Sequence, residues 1–228
     1  LKVHLGRGFP HYAKMTVDIW VNDLHRLVQR NSARVVGHQL RSSGLILSTV
    51  GTAPVTLDGN INLVGLQAKQ AAHVEISGVQ SQSMSMDLQH HAYVKLQGNI
   101  GLCNIQVYDH SWLSMYWVKA NRLNMTYGGH SFVQMAGRVN VLDLELFQHA
   151  KFAGRYLRAT RAFVRTHDDT LAQISVERAQ HTLALERSHI DYFDAPAYRT
   201  DFMTDYAAVL DLREWTMPYT QVEQHYED

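Results

Sequence analysis

The sequence predicts an all-β fold: a single-stranded, right-handed parallel β-helix, or solenoid, of about ten coils. Three observations predict it. A small residue followed by two alternating apolar positions recurs at 53, 72, 92, 111, 131, 150, 170 and 189, so the steps alternate between 19 and 20 residues. Gly59, Gly98 and Gly137 stand 39 residues apart, which joins two successive coils into one paired unit. A second alternating run follows within each unit, as in Cys103-Ile105-Val107, Leu123-Met125-Tyr127 and Leu142-Leu144-Leu146. Period two is the mark of a strand with one buried face. Two or three short strands per unit make one coil, each strand pairing with its equivalents above and below. At ~4.8 Å between stacked strands, ten coils give a rod roughly 45–50 Å tall.

Taken in order, the chain opens loosely. A copy starting at Lys14 is the best fit there, and "VNDLHRLVQR" (21–30) is the one stretch with helical spacing. From Ala33 the register is clear. The well-formed copies are Ala53-Val55-Leu57, Ala72-Val74-Ile76, Ala92-Val94-Leu96, Ser111-Leu113-Met115 and Ser131-Val133-Met135. Weaker copies begin at Ala150, Thr170 and His189. The solenoid is therefore expected over 1–212, clear from about 33, and 213–228 leaves the repeat as a cap or tail. A last coil exposes open strand edges, and Trp215, Pro218 and Tyr219 are the residues expected to cover them. Left-handed acyltransferase helices are set aside, since neither step is a multiple of six.

Composition narrows the function classes. Of 228 residues 46% are hydrophobic, enough for a sizeable core. Lysine plus arginine equals aspartate plus glutamate at 21 each, so no net field draws nucleic acid or an anionic membrane. Fourteen histidines make the charge sensitive to mild acid. Cys103 is the only cysteine, which excludes an internal disulfide, and its inward strand position reads as a buried small hydrophobe. No stretch approaches eighteen apolar residues, so no spanning helix is expected. The chain starts at Leu1 without a signal peptide, as it would after signal removal or at a boundary drawn inside a longer protein.

The unit resembles the head GIN domain family, the auto-transporter adhesins, in which repeats take the form Ser-Gly-x-Ala/Ser-x-Val-x-Leu. "SWLSMYWVKANRLNMTYGGHS" (111–131) and "SFVQMAGRVNVLDLELFQHA" (131–150) carry the likeness, and "SHIDYFDAP" (188–196) is similar to the family's closing aromatic stretch. The likeness covers most of 33–212. It implies an exported bacterial β-helix domain, placed in the periplasm, on the outer-membrane surface or outside the cell. At the turn, where the family carries Ser-Gly, this chain has Asp109-His110, Gly129-His130 and Gln148-His149.

Alternation sends the residues between the apolar positions outward. One column then reads His91, His110, His130, His149, Asp169, Ser188. The next reads His73, Tyr93, Trp112, Phe132, Lys151, Leu171, Ile190, and the third Glu75, Lys95, Ser114, Gln134, Ala153, Gln173. A histidine ladder thus runs beside an aromatic one. The aromatic column reads in three ways: rings packed on one another, an interface with a partner or second copy, or a groove that stacks sugars on Tyr93, Trp112 and Phe132. The histidine column reads as stacked turn residues. Imidazolium charges ~5 Å apart in water repel by about 0.8 kcal/mol, so acid is expected to loosen this edge. Four histidines one rung apart form no tetrahedral site by default, and no metal or other cofactor is expected. Asp168 and Asp169 read as turn residues, and Asp143 and Glu145 as a solvated strand face.

The expectation is a non-enzymatic, exported binding or adhesion module that uses His91, Tyr93, His110, Trp112, His130, Phe132 and His149. Its partner would be a glycan, a cell-surface protein or a second copy of the chain. One alternative is a self-assembling structural solenoid. Another is a polysaccharide-degrading β-helix enzyme, which the constant spacing disfavours because it leaves little length for cleft-forming loops.

Overall fold

The computed structural model describes residues 16–30 and 33–213. Among them there is no helix, and twelve strands form one all-parallel sheet wound into about ten stacked turns. The strands are β1 (Arg26–Arg30), β2 (Val35–Val50), β3 (Pro54–Lys69), β4 (His73–Gln89), β5 (Tyr93–Val107) and β6 (Trp112–Tyr127). They continue as β7 (Phe132–Leu146), β8 (Lys151–Thr166), β9 (Leu171–Ala184), β10 (His189–Tyr192), β11 (Tyr198–Met203) and β12 (Ala208–Asp211). Each strand pairs with the next along the axis, save that β10 and β11 both lie on β9, and β12 lies on β10. Most coils are one long strand that bends at corners, not two or three separate strands as expected. The stretch with helical spacing contributes β1.

Inward positions carry Val, Leu, Ile and Met and form one continuous core from Leu45 to Tyr192. Burying each such side chain stabilises the fold by roughly 1.5–3 kcal/mol before chain entropy is set against it. The small inward residue has a second task at Ser131, Thr170 and Ser188. Its hydroxyl donates to the carbonyl three residues back, as from Ser131 to Gly128 at 2.7 Å, Thr170 to His167 at 2.9 Å and Ser188 to Leu185 at 2.7 Å. These bonds close the turn and satisfy a hydroxyl that burial would otherwise strand.

The paired unit has a structural cause. In three of the 20-residue coils the register slips by one residue at a corner, and the extra residue is Gln39, Gly78 or Trp117, with φ of 52°, 76° and 63°. The residue after each, Leu40, Val79 or Val118, pairs with Gly59, Gly98 or Gly137 of the 19-residue coil above. Gly137 has φ of 145°, and a Cβ there would lie 2.1 Å from the Val118 carbonyl oxygen. The bulged coil therefore requires glycine in its neighbour, which is why bulge and glycine each recur every 39 residues.

The last copy is misplaced by one residue. His189 pairs with Leu171, so the small inward residue is Ser188, 18 positions after Thr170. Ser188 and Ile190, both expected outside, are fully buried. Coil nine is shorter because its first corner is cut: the register jumps from Ala153↔Gln173 to Arg158↔Ser175. The core then ends in a polar network: Asp201 accepts from Thr182 Oγ1 at 2.5 Å, from Gln180 at 3.2 Å, and from Arg199, which also bonds Tyr192. Lys14 and the expected cap residues Trp215, Pro218 and Tyr219 lie outside the described residues.

Candidate functional site

The histidine ladder is built on a two-residue turn held in the left-handed region. His90 and His91 have φ of 57° and 65°, Asp109 and His110 57° and 61°, and Gln148 and His149 55° and 65°. Outside glycine, Asn, Asp and His enter this region most readily, which fits Asp109 and the four histidines; Gln148 takes it as well. Each turn is bonded to the next. The backbone N–H groups of His91, His110 and His130 donate to the carbonyls of Asp109, Gly129 and Gln148 at 2.9, 2.8 and 2.9 Å.

This repeat brings the rings into register. His91, His110, His130 and His149 stack with successive centroid distances of 5.1, 5.0 and 4.6 Å. Beside them His73, Tyr93, Trp112 and Phe132 stack at 4.4, 4.3 and 6.2 Å, with planes within 12° of parallel. All seven expected site residues thus lie on one patch across four coils. The aromatic rings are half-buried, and each inner ring's faces are covered by its neighbours. Solvent meets ring edges here, so a sugar cannot lie flat on Tyr93 or Trp112 without breaking the stack. Burial raises the Tyr93 phenol above its ordinary range, with a smaller contribution from Glu75.

The third column departs from expectation at Ser114. It points outward in register between Lys95 and Gln134, yet it is fully covered and its hydroxyl has no partner. Alternation gives a side chain's direction but not what its longer neighbours cover.

The carboxylates are engaged in the scaffold. Asp168 accepts the Gln148 N–H at 2.8 Å, and Asp169 meets His149 at 3.2 Å and Arg187 at 2.8 Å. Asp143 faces Arg122 at 3.8 Å, and Glu145 faces Arg165 at 4.0 Å. The ladder histidines lie ring over ring, and among the described residues no three His, Cys, Asp or Glu side chains converge on a point. Cys103 is buried, and desolvation pushes its thiol up to about 12. A shallow groove of about 730 Å³ runs along another face, lined by Ser48, Gln67, Ser85, Asn104, Gln106 and Asn124.

Sequence reasoning missed one exposed pair. Trp117 and Tyr156 stand at a different corner, 80% and 70% exposed, and the 39-residue recurrence of Gln39, Gly78, Trp117 and Tyr156 was the signal that could have found them. Comparison with known protein families and with curated protein sequences finds no match.

Proposed function

We propose that the protein is a non-enzymatic binding or adhesion module, exported as the head GIN resemblance implies, and that the histidine–aromatic patch is its contact surface. The observation that carries the reading is the double stack itself. Four imidazoles and the edges of three aromatic rings form one continuous outward surface on a rigid scaffold. Neutral imidazole offers one donor and one acceptor per ring, which suits a hydroxyl-rich partner such as a neutral glycan. The nearby carboxylates hold turns and neighbouring cations, which leaves them poorly placed for acid–base work.

A fluorescently labelled full chain applied to a printed array of neutral glycans tests this. The His110→Asn/His130→Asn variant keeps residues that accept the left-handed turn and removes two imidazoles. The wild type should bind a subset of glycans, and the variant should lose at least ten-fold in signal. Binding that survives the variant unchanged, or no binding at all, would overturn the reading.

Self-assembly is the second reading, and the ends of the rod favour it. Val17, Ile19, Trp20 and Val21 are exposed at one end, and Tyr198, Phe202, Met203 and Tyr206 at the other. Exposed apolar surface of this kind marks contact sites.

A further inference from the structure

We propose that the corner bearing Trp117 and Tyr156 is a second binding site, and that its ligand is an anionic polysaccharide whose carboxylates or sulfates meet the cations Lys119, Arg138 and Arg158. The site is a groove of about 590 Å³, open to solvent. Its floor is Ala136 and Gly137, flanked by the longer side chains of Tyr116, Lys119, Arg138 and Tyr156. Tyr156 pairs with Ala136 on one side. On the other, Tyr116 follows Met115, whose partner is Met135, so Tyr116 shares the same column. The two tyrosines thus flank the floor two rungs apart, roughly 10 Å. A saccharide ring with its substituents fits between such walls.

The backbone supplies a second observation. Trp117 is the extra residue of its coil and holds φ of 63°, at a position that repeats as Gly78 one unit earlier. A bulky residue there is strained, and 80% of it faces water, so neither backbone preference nor core packing accounts for it. Strain kept at an exposed aromatic residue points to a contact made outside the chain.

The third observation is charge. Lys119 pairs with Arg138 and Arg138 with Arg158, so three cations stand on adjacent strands along one rim. Like charges placed opposite one another are unfavourable. No Asp or Glu lines the groove, and none of the three forms an ion pair among the described residues. Elsewhere on the rod arginines do meet carboxylates, as Arg122, Arg165 and Arg187 show. An anion from outside completes the ladder, and guanidinium groups match carboxylate or sulfate geometry. Aromatic rings beside cations also suit single-stranded nucleic acid. That needs a basic track along many nucleotides, whereas this ladder spans three coils of a chain with no net charge.

The site differs from the histidine–aromatic patch in position and ligand charge, so the two stand or fall separately. Isothermal titration of the full chain with an oligogalacturonate, its methyl-esterified form, a sulfated oligosaccharide and oligo-dT is the test. Binding of the oligogalacturonate or the sulfated sugar is expected, and the stronger one names the anion. Esterification should weaken it at least ten-fold, as should Trp117→Gly, which relieves the backbone, and Arg138→Gln. His110→Asn/His130→Asn should leave it unchanged. No heat with either acidic sugar, equal binding by Trp117→Gly and wild type, loss in the histidine variant, or oligo-dT binding as tightly as the sugars would each overturn the proposal.

Discussion

Gly137 shows how much one residue decides. Its Cβ position is taken by the Val118 carbonyl oxygen at 2.1 Å, and its φ of 145° lies where side chains rarely go. Gly137→Ala is therefore expected to destabilise the fold by about 2 kcal/mol or more, read as a lowered midpoint in urea. An unchanged midpoint would remove the physical basis given for the 39-residue pairing. The sequence made the recurrence of this glycine visible, but not its cause, because the obstructing carbonyl belongs to the coil below. Residue direction was legible from alternation as far as Thr170, and all seven ladder residues stand where alternation put them. Exposure was not, as Ser114 shows.

At the scale of the coil, the first described turns are pinned by side chains rather than by ring stacks. Asp58 accepts the Gln39 N–H at 2.8 Å and meets His38 at 2.7 Å, and these bonds hold its carboxyl below the usual range. Asp23 is lowered in the same way by Ser43. A carboxylate whose folded pKa is depressed contributes stability that is present above its unfolded pKa of about 3.9 and is lost as pH falls through the folded value. The Gln39 amide should accordingly be protected from hydrogen exchange at pH 6 and less so below pH 3, after correction for the intrinsic rate. In Asp58→Asn this difference should vanish, and a variant with the wild-type pH dependence would contradict the assignment. Coil order and inward residues were legible up to Thr170. The misreading beyond it has a physical origin: a constant step was assumed, and coil nine cuts a corner, so Ser188 takes the small inward place that Ser111 and Ser131 fill earlier.

Over the whole molecule, one repeat supplies both scaffold and surface. Each coil adds a rung of core, a rung of turn and a rung of outward rings, so the candidate site grows with the rod instead of being placed on it. That is why the ladder was legible before the structure, while the Trp117 corner, which depends on a bulge in alternate coils, was not. The central claim is that the ladder face is free surface, held for a partner of another kind. Light scattering of the full chain and of Trp112→Asp, with circular dichroism to show that both are folded, tests it most directly. The account predicts the mass of a single chain in both cases. A native oligomer that Trp112→Asp converts to a folded monomer would contradict it, because the stacked aromatic face would then be a seam between copies of the chain.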